Sequence, residues 1–403
     1  MLISKVIFYV TLVFSVMSCF PISSIGEEPK GDIGSLVNAN TSFALDLYSK
    51  LKEEEGNLFF SPYSISTALA MTYGGARGNT AKQMAEVLHF TMGQEQLHPT
   101  FTDLEAVLQD VQKEGKVQLY IANSLWPQKD YPFRQQYLSL IQKHYGSSVT
   151  PVDFVKATEE ARRIINTWVA DETKKKITDL IRKGDLDPLT VLVLVNAIYF
   201  KGNWAIQFDP ELTEIADFTL PGGGKKQVPM MHQRGTYGYR ELDGLQVLEL
   251  PYEGEQLSMC ILLPRDPNGL SKLENSLSPE KVDSWLSDPL KVTARIFLPK
   301  FKIAWGTVEL NKPLMALGIR DAFIGGKADF SGMDGTMNLF IDLVLHKAFV
   351  EVNEEGTEAA AATAVIMKKR AARIFRADHP FMFMIRDNAT GSILFLGRVV
   401  DPS

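Results

Sequence analysis

The chain has 403 residues, of which 45% are hydrophobic and 22% are charged, a composition typical of a globular protein with a full core. Its formal net charge is −6. Nucleic-acid-binding proteins usually carry a basic surface, so we expect no nucleic-acid partner.

The first 26 residues have the pattern of a secretory signal peptide. Lys5 precedes a mainly apolar run over residues 6–20, and small residues follow as far as Gly26. Cleavage after Ser18 or after Gly26 fits this pattern. The run is short for a membrane span, and no second long apolar run follows. We therefore expect a secreted, extracellular protein without a membrane segment, in which residues 27–403 form a single domain.

The cysteines predict no intramolecular disulfide. Cys19 lies within the signal segment, and Cys260 lies in the apolar run 257–263. A lone thiol in an apolar strand is usually an inert core residue. We expect the hydrophobic core alone to stabilise the mature chain.

Hydrophobic periodicity predicts a mixture of helices and long strands along the rest of the chain. In the helix that begins at Pro62, Ser61 is the expected N-cap. The predicted helices are 36–51, 62 onward, 79–88, 102–111, 133–145, 159–169, a pair within 270–286, and 310–317. The predicted strands are 57–60, 117–126, 191–200, several within 227–263, 294–299, 301–305, 343–352, and a hairpin formed by 381–385 and 392–400.

Motifs of enzymes and metal proteins are absent from the sequence. It contains no Gly-x-Ser-x-Gly elbow, phosphate-binding loop or His-Glu-x-x-His motif, and its six histidines lack the spacing of metal ligands. We therefore expect no metal, no cofactor and no enzymatic activity. A hydrolase whose triad is scattered along the chain stays open as an alternative.

Residues 354–373 fit neither a helix nor a core strand. They begin with acidic residues and one glycine, continue as a run of alanines, become apolar and end in a basic cluster. They directly follow the predicted strand 343–352 without a helix cap. A segment of small residues with a basic tip suits an exposed substrate-like loop that a protease could cut.

Four blocks along the chain together resemble the serpin family, and in wording they are closest to its ovalbumin-like branch. The resemblance extends from about Leu36 to Pro402. The blocks are FSPYSISTAL at 60–69, NAIYFKGNW at 196–204, HKAFVEVNEEGTEAA at 346–360 and ADHPFMF at 377–383. The signal segment departs from that branch, whose members usually lack a cleaved one.

The resemblance implies an α+β serpin fold with three β-sheets, about nine helices and an exposed reactive-centre loop over residues 354–376. The main sheet would have five strands. A protease would cut the loop, form an acyl-enzyme and be carried across the molecule as the loop inserts into that sheet. The native state would be metastable and held kinetically. We expect a monomer.

The predicted loop has the alternation that an inserted strand needs. If Thr357 faces inward, the inward side carries no charge and the segment contains no proline. That inward set is Thr357, Ala359, Ala361, Thr363, Val365 and Met367. The hinge implied by the resemblance is Glu354, Glu355, Gly356, Thr357, Glu358, Ala359 and Ala360, in which Gly356 supplies conformational freedom.

Counting from the hinge glycine as in the family places the reactive bond at Arg370–Ala371. An arginine there suits proteases of trypsin-like specificity, whose pocket carries a carboxylate. Lys368 and Lys369 are alternative positions. The run Arg370-Ala371-Ala372-Arg373 also matches a proprotein convertase site.

The resemblance implies further roles by position. Ser61, Ser64, Asn196 and His346 would form the polar shutter beneath the sheet opening, and Trp204 and Glu354 would lie where insertion starts. Asn40 and Asn388 begin glycosylation sequons. Residues 98–113 match the heparin-binding helix of some members, but Lys113 is their only Lys or Arg. We expect no heparin binding by this helix.

The sequence thus predicts a secreted suicide-substrate inhibitor of trypsin-like serine proteases. Two alternatives stay open within the family. One is a non-inhibitory member that acts as a carrier or storage protein, and the other is an inhibitor of a proprotein convertase.

Overall fold

A computed structural model describes residues 32–113, 117–147, 149–357 and 372–402. This part of the chain contains ten α-helices. They are α1 (Ile33–Leu51), α2 (Pro62–Gly75), α3 (Gly78–Val87), α4 (Gln94–Lys113), α5 (Gln135–Tyr145), α6 (Phe154–Glu172), α7 (Leu270–Asn275), α8 (Pro279–Leu286), α9 (Asn311–Leu317) and α10 (Ser331–Asp334). Two short 3-10 helices span Pro210–Leu212 and Asp321–Phe323.

The same residues form fourteen strands. The first seven are β1 (Leu58–Phe60), β2 (Val117–Pro127), β3 (Leu192–Asn203), β4 (Glu214–Thr219), β5 (Lys225–Leu242), β6 (Leu245–Pro251) and β7 (Leu257–Pro264). The others are β8 (Leu290–Pro299), β9 (Phe301–Glu309), β10 (Leu343–Val352), β11 (Gly356–Thr357), β12 (Arg373–Arg376), β13 (Phe381–Asp387) and β14 (Ile393–Val399).

The main sheet has five strands in the described residues, with β3 at its centre. β3 pairs with β2 on one edge and with β10 on the other, and β9 pairs with the far edge of β10. The predicted apolar run forms this central strand because both of its faces are covered. Leu194 and Ile198 belong to the large core, whereas Val193 and Val195 belong to a smaller core that includes Phe154 of α6.

The remaining strands form a single nine-stranded sheet in the order β1-β14-β13-β7-β6-β5-β8-β12, with β4 also paired to β5. This differs from the expected pair of smaller sheets. The long strand β5 hydrogen-bonds to β6 at its end and to β8 and β4 along the rest of its length. It therefore joins the two expected sheets into one. The helices number ten in the described residues, against the expected nine or so.

Helix α2 is buried along its whole length, from Pro62 to Gly75. The predicted cap is confirmed: the side chain of Ser61 accepts a hydrogen bond from the backbone N–H of Ser64, and Pro62 stands at the first helical position. The helix lacks an amphipathic pattern because it lies between packed layers. At its N-terminus, the backbone N–H of Ser61 and the hydroxyl of Ser64 hydrogen-bond to side chains of the main sheet.

None of the described helices is both long enough and apolar enough to cross a membrane. Within the same residues, no group of three or more His, Cys, Asp or Glu side chains could hold a metal ion. Cys260 is buried and free, and burial raises the pKa of its thiol to about 12. The thiol is therefore protonated and unreactive at neutral pH.

Candidate functional site

The β3–β10 contact is the parallel pairing within the described main sheet. Its register runs from Leu343 opposite Val193 to Phe349 opposite Tyr199, whereas β2 and β9 pair antiparallel to their neighbours. A strand placed between β3 and β10 and running the other way would be antiparallel to both. Parallel pairing is slightly less stable per residue than antiparallel pairing. We call this contact the seam.

The chain that leaves β10 turns back and begins such a strand at the top of the seam. β11 pairs antiparallel with β3, with Gly356 opposite Asn203 and Thr357 opposite Gly202. Gly202 also pairs with Val117 of β2, so β11 must occupy the other edge of β3, the edge that β10 uses lower down. The described part of the predicted hinge, residues 354–357, therefore lies at the entrance to the seam.

Hydrogen bonds to the backbone carbonyls of residues 353–355 hold the turn after β10 against the end of β3. The Trp204 indole N–H donates to the Asn353 carbonyl at 3.0 Å, and the Trp204 backbone N–H donates to the Glu355 carbonyl at 2.8 Å. The Phe208 N–H donates to the Glu354 carbonyl at 2.8 Å. Trp204 itself is fixed by stacking on Tyr252, with ring centroids 4.7 Å apart.

The Glu354 carboxylate is the charged centre of this region. The residue is only 8% exposed. Lys300 Nζ lies 2.8 Å from one carboxylate oxygen, and the Thr213 hydroxyl donates to the other at 2.8 Å. Burial acts to raise the pKa of Glu354, but the hydrogen bonds from Lys300, from its own backbone N–H and from Thr213 outweigh it, and the pKa is lowered.

Gly356 stands where only glycine fits. Its φ of +149° is a conformation that other residues rarely adopt. A Cβ atom there would lie 2.5 Å from Asn203 Cα and 2.8 Å from Trp204 N, and closer still to the Gly202 carbonyl oxygen. All three contacts are with backbone, so no side-chain rotation could relieve them.

Halfway down the seam, a polar row crosses three strands. Asn123 of β2 lies opposite Asn196 of β3, which lies opposite His346 of β10. Asn196 Nδ2 donates to Ser64 Oγ at 2.6 Å and also to Asn123 Oδ1. The Ser61 backbone N–H donates to His346 Nε2 at 3.2 Å. The structure thus brings together the four predicted shutter residues and adds Asn123.

These bonds fix the histidine in one neutral tautomer. The Ser61 N–H can only donate, so His346 Nε2 must accept and Nδ1 must carry the proton. Nδ1 then donates to Asn196 Oδ1. Burial lowers the pKa of His346 to about 3. The bonded, neutral ring therefore holds β10, β3 and α2 together at neutral pH.

Sequence reasoning missed several partners of these residues. Asn123 and Ser124 are consecutive polar residues in the mainly apolar strand β2, which is a signal that could have been read. Asn353, Lys300 and Thr213 gave no comparable signal, because Lys300 and Thr213 come from segments distant in sequence. Their role at Glu354 follows only from the fold.

A segment that follows α6, residues 174–182, crosses the outer face of the seam. On the β2–β3 side, Lys174 Nζ lies 5.6 Å from the centroid of the Tyr120 ring, and Lys176 Nζ lies 5.5 Å from that of Tyr199. On the β10–β9 side, Lys347 Nζ donates to the Asp179 carbonyl at 3.1 Å. Lys174 and Lys176 belong to a run of three lysines whose charge alone predicts a solvated surface. Their ammonium groups nevertheless lie over aromatic rings of the sheet.

Both ends of the predicted reactive-centre loop, 354–376, contain strand residues in the part of the chain that the structure describes. Gly356–Thr357 form β11, and Arg373–Arg376 form β12, which pairs in parallel with β8. The predicted hinge residues Glu358, Ala359 and Ala360 and the predicted reactive bond Arg370–Ala371 lie outside the described residues, as does the signal segment 1–26.

The structure corrects one predicted glycosylation site. Asn40 lies within α1, is 3% exposed, and its Oδ1 accepts a 2.6 Å hydrogen bond from Ser66 Oγ. A glycan cannot be accommodated there in the folded chain. At Asn388, Nδ2 donates at 2.8 Å to both the Glu255 carbonyl and Ser258 Oγ. Glycosylation at Asn388 stays a prediction, although it would displace one of these bonds.

The family model described as Serpin (serine protease inhibitor) matches residues 38–402. This chain belongs to the serpin family. It is 46% identical over 381 residues to the human leukocyte elastase inhibitor, an alignment that covers 91% of this chain and 99% of the relative. Its identity to the Xenopus tropicalis protein of the same name is 44% over 378 residues, covering 91% of this chain and 100% of the relative. The resemblance to the ovalbumin-like branch is thus confirmed.

Solved structures agree with the serpin fold. Uncleaved ovalbumin superimposes with a TM-score of 0.83 at 32% identity, covering 92% of this chain and 100% of the other. Serpin48 of Tenebrio molitor gives a TM-score of 0.82 at 33% identity, covering 92% and 98% of the two chains. Missing enzyme motifs are not the right basis for the expectation of no enzymatic activity: the matching family is described as serine protease inhibitors, which inhibit proteases rather than catalyse.

Proposed function

We propose that this serpin inhibits serine proteases of trypsin-like specificity by inserting the segment after Gly356 into the seam. The observation that carries the proposal is the register of β11, in which Thr357 lies opposite Gly202. If that antiparallel register continues, Met367 falls opposite Leu192, the first residue of β3. The predicted arm therefore has the length of the strand it would pair with.

The continued register also gives each side of the arm a suitable environment. Residues directly opposite each other in a sheet share a face. Ala359, Ala361 and Val365 would lie on the face of Phe200, Ile198 and Leu194, which belong to the large core. Ala362, Ala364 and Ile366 would lie on the face of Ala197, Val195 and Val193, which belong to the smaller core.

The charged residues of the arm fall at its two ends. Glu358 would lie opposite Lys201, which is only partly buried, so its carboxylate would meet a cation rather than the core. Lys368 falls opposite Val191, beyond the end of β3. No charge would have to enter either hydrophobic core.

The trypsin-like specificity rests on the basic run that ends at Arg370. With the bond at Arg370–Ala371, the arm would fill the seam to Met367 and leave the three basic residues as a link to the bound protease. A second candidate is an elastase-like target, because the relatives at 44–46% identity are named leukocyte elastase inhibitors. Elastases cut after small apolar residues, and the arm contains several.

One experiment separates these specificities. The full chain is incubated with trypsin and, in parallel, with neutrophil elastase, and the products are examined by denaturing electrophoresis and by mass spectrometry of the released peptide. We expect an SDS-stable complex with trypsin and a new N-terminus at Ala371. Arg370→Glu should abolish the trypsin complex, whereas Arg373→Glu should keep it.

Other outcomes would contradict the proposal in distinct ways. A complex with elastase alone would favour the elastase-like target. Loss of inhibition in Arg373→Glu would favour the convertase-type site, because that motif needs Arg373 as well as Arg370. Clipping of the loop with full protease activity remaining, and no gain in thermal stability after the cut, would favour a non-inhibitory carrier or storage protein.

We also propose that residues 1–26 direct secretion. The charged start, short apolar run and small residues before Gly26 support this. When the full sequence is expressed in eukaryotic cells, the protein should be recovered from the medium with an N-terminus after Ser18 or Gly26. Recovery only from cell lysate, with the first residues intact, would contradict it.

A further inference from the structure

The nine-stranded sheet presents a strip of arginines on its solvent side beside the loop. Arg234 of β5 lies opposite Arg295 of β8, and Arg295 lies beside Ile374 of β12. In the next row, Phe297 of β8 lies beside Arg376 of β12. We call these five residues the arginine strip. On the opposite side of the same strands, Ala294, Ile296 and Phe375 are completely buried.

The strip places its guanidinium groups over an aromatic ring. The Cζ atom of Arg376 lies 3.7 Å from the centroid of the Phe297 ring, and that of Arg295 lies 5.5 Å from it. Stacking leaves the N–H edges of a guanidinium free to bind carboxylates in bidentate fashion. Among the described residues, the side chains of Arg295 and Arg376 make no ion pair or hydrogen bond.

The strip carries positive charge on three neighbouring strands. Arg234 of β5 and Arg295 of β8 lie directly opposite each other, and Arg376 lies on β12. The acid at the edge of the strip, Glu241, is already shared by Arg265 and Arg373. In a chain with a net charge of −6, the strip is a local concentration of positive charge that an acidic partner would neutralise.

An exposed apolar residue lies within the strip. Ile374 is 60% exposed and stands in the same row as the two opposed arginines. An apolar side chain flanked by arginines is typical of protein interfaces, whose central residues are apolar and whose enriched residues include Arg. A sulfated polysaccharide would gain little from the isoleucine, so the strip favours a protein partner.

The position of the strip identifies that protein. On the proposed function, the protease is bound at Arg370–Ala371, and Ile374 follows four residues later. An extended chain of that length spans at most about 14 Å. A standard interface of about 800 Å² per partner has a radius of about 16 Å. A protease docked on the bond would therefore cover the strip.

We propose that the arginine strip is a docking surface for an acidic, apolar-centred patch on the target protease, beside its cleft on the leaving-group side. The inference rests on the proposed function. β12 follows the reactive bond, so it keeps its place in the sheet when the arm inserts. The strip therefore acts in the first encounter and contributes to the association rate, not to the trapping step.

The test uses anionic and cationic trypsin, which share substrate specificity but differ in surface charge. Each is used in a form whose catalytic serine is replaced by alanine, so that docking is measured without cleavage or insertion. Surface-binding kinetics with the full chain should give faster association with the anionic form at about 0.05 M salt, and the difference should shrink at about 0.5 M salt.

Arg295→Glu should slow association with anionic trypsin about tenfold at low salt and remove the preference. Lys82→Glu is the matched control, because Lys82 lies on α3, its side chain is 70% exposed, and the change in net charge is the same. It should have no effect. Ile374→Ser should speed dissociation without changing the dependence on salt. Because both changed side chains are exposed, the variants should fold.

Three results would overturn the proposal. The first is equal association with both trypsins, and the second is an equal effect of Arg295→Glu and Lys82→Glu, which would indicate net charge alone. The third is retention on heparin-agarose at about 0.15 M salt that Arg295→Glu abolishes, which would identify a polysaccharide site. SDS-stable complexes with active trypsin are scored separately, so a failure of inhibition and a failure of docking are distinguishable.

Discussion

The polar row at the middle of the seam makes stability depend on pH through His346. The folded chain holds this ring neutral with a pKa of about 3, whereas an exposed histidine has a pKa of about 6.5. Below about pH 6.5 the unfolded chain therefore binds a proton that the folded chain does not. By linkage, the free energy of unfolding falls by roughly 1 kcal/mol per pH unit until the folded pKa is reached.

The difference between about pH 7 and about pH 5 should thus be on the order of 2 kcal/mol for this residue. His346→Gln tests it, because glutamine can accept from the Ser61 N–H and donate to Asn196 but does not titrate. Unfolding by urea is followed at several pH values in this range. The variant should lose about 2 kcal/mol less than the unchanged chain as the pH falls.

His98 supplies a matched comparison. Burial, with a smaller effect of His144, lowers the pKa of His98 to about 4. The neutral His98 ring should therefore also make the free energy of unfolding fall as the pH falls from about 7 to about 5. His98→Gln should remove a similar part of the pH dependence, and the double variant should remove both parts. An unchanged pH dependence in His346→Gln would refute the assignment of the neutral, acceptor tautomer.

The hinge and the crossing segment give three more predictions. Gly356→Ala should raise the stoichiometry of inhibition of trypsin several-fold, because the new Cβ atom would collide with the backbone of β3. Gly93→Ala is the control and should leave the stoichiometry unchanged, because a Cβ atom at Gly93 has open space around it. Lys300→Ala should lower the free energy of unfolding by about 1–3 kcal/mol by leaving Glu354 unpaired, and adding Glu354→Gln should restore part of it, as urea unfolding would show. Lys347→Met keeps the apolar stem of the side chain but removes its hydrogen bond to the Asp179 carbonyl. A synthetic peptide of residues 357–367 should therefore insert into the seam of this variant several-fold faster, which an electrophoretic mobility shift would show.

The sequence contained enough information for the parts of this site that local patterns specify. The mainly apolar run 191–200 predicted β3, and the Ser61-Pro62 pair predicted the start of α2. The histidine within the mainly apolar strand β10 drew attention to position 346. Each of these signals is carried by neighbours in the chain, and each matches the structure.

Other features depend on partners far away in sequence. β12 contains two arginines in four residues and becomes a strand only because β8 supplies its parallel partner. Asn40 is different, because the local sequence is enough to predict that it is buried. It stands at helical spacing from Leu36, Phe43 and Leu47, on the apolar face of α1. At this position the helical periodicity, and not the sequon, indicates that the side chain is buried.

If the arm inserts as proposed, the polar row gives a physical reason why the seam is closed and can still open. Separating β10 from β3 breaks the bond between His346 and Asn196, and buried polar groups without partners cost about 1–3 kcal/mol each. On the register of β11, Thr363 falls opposite Asn196, so its hydroxyl would enter the seam at this level. A hydroxyl can accept from one neighbour and donate to the other. The arm would thus replace the bond that its insertion breaks, whereas an incomplete arm that stops above Thr363 would leave both groups unpaired.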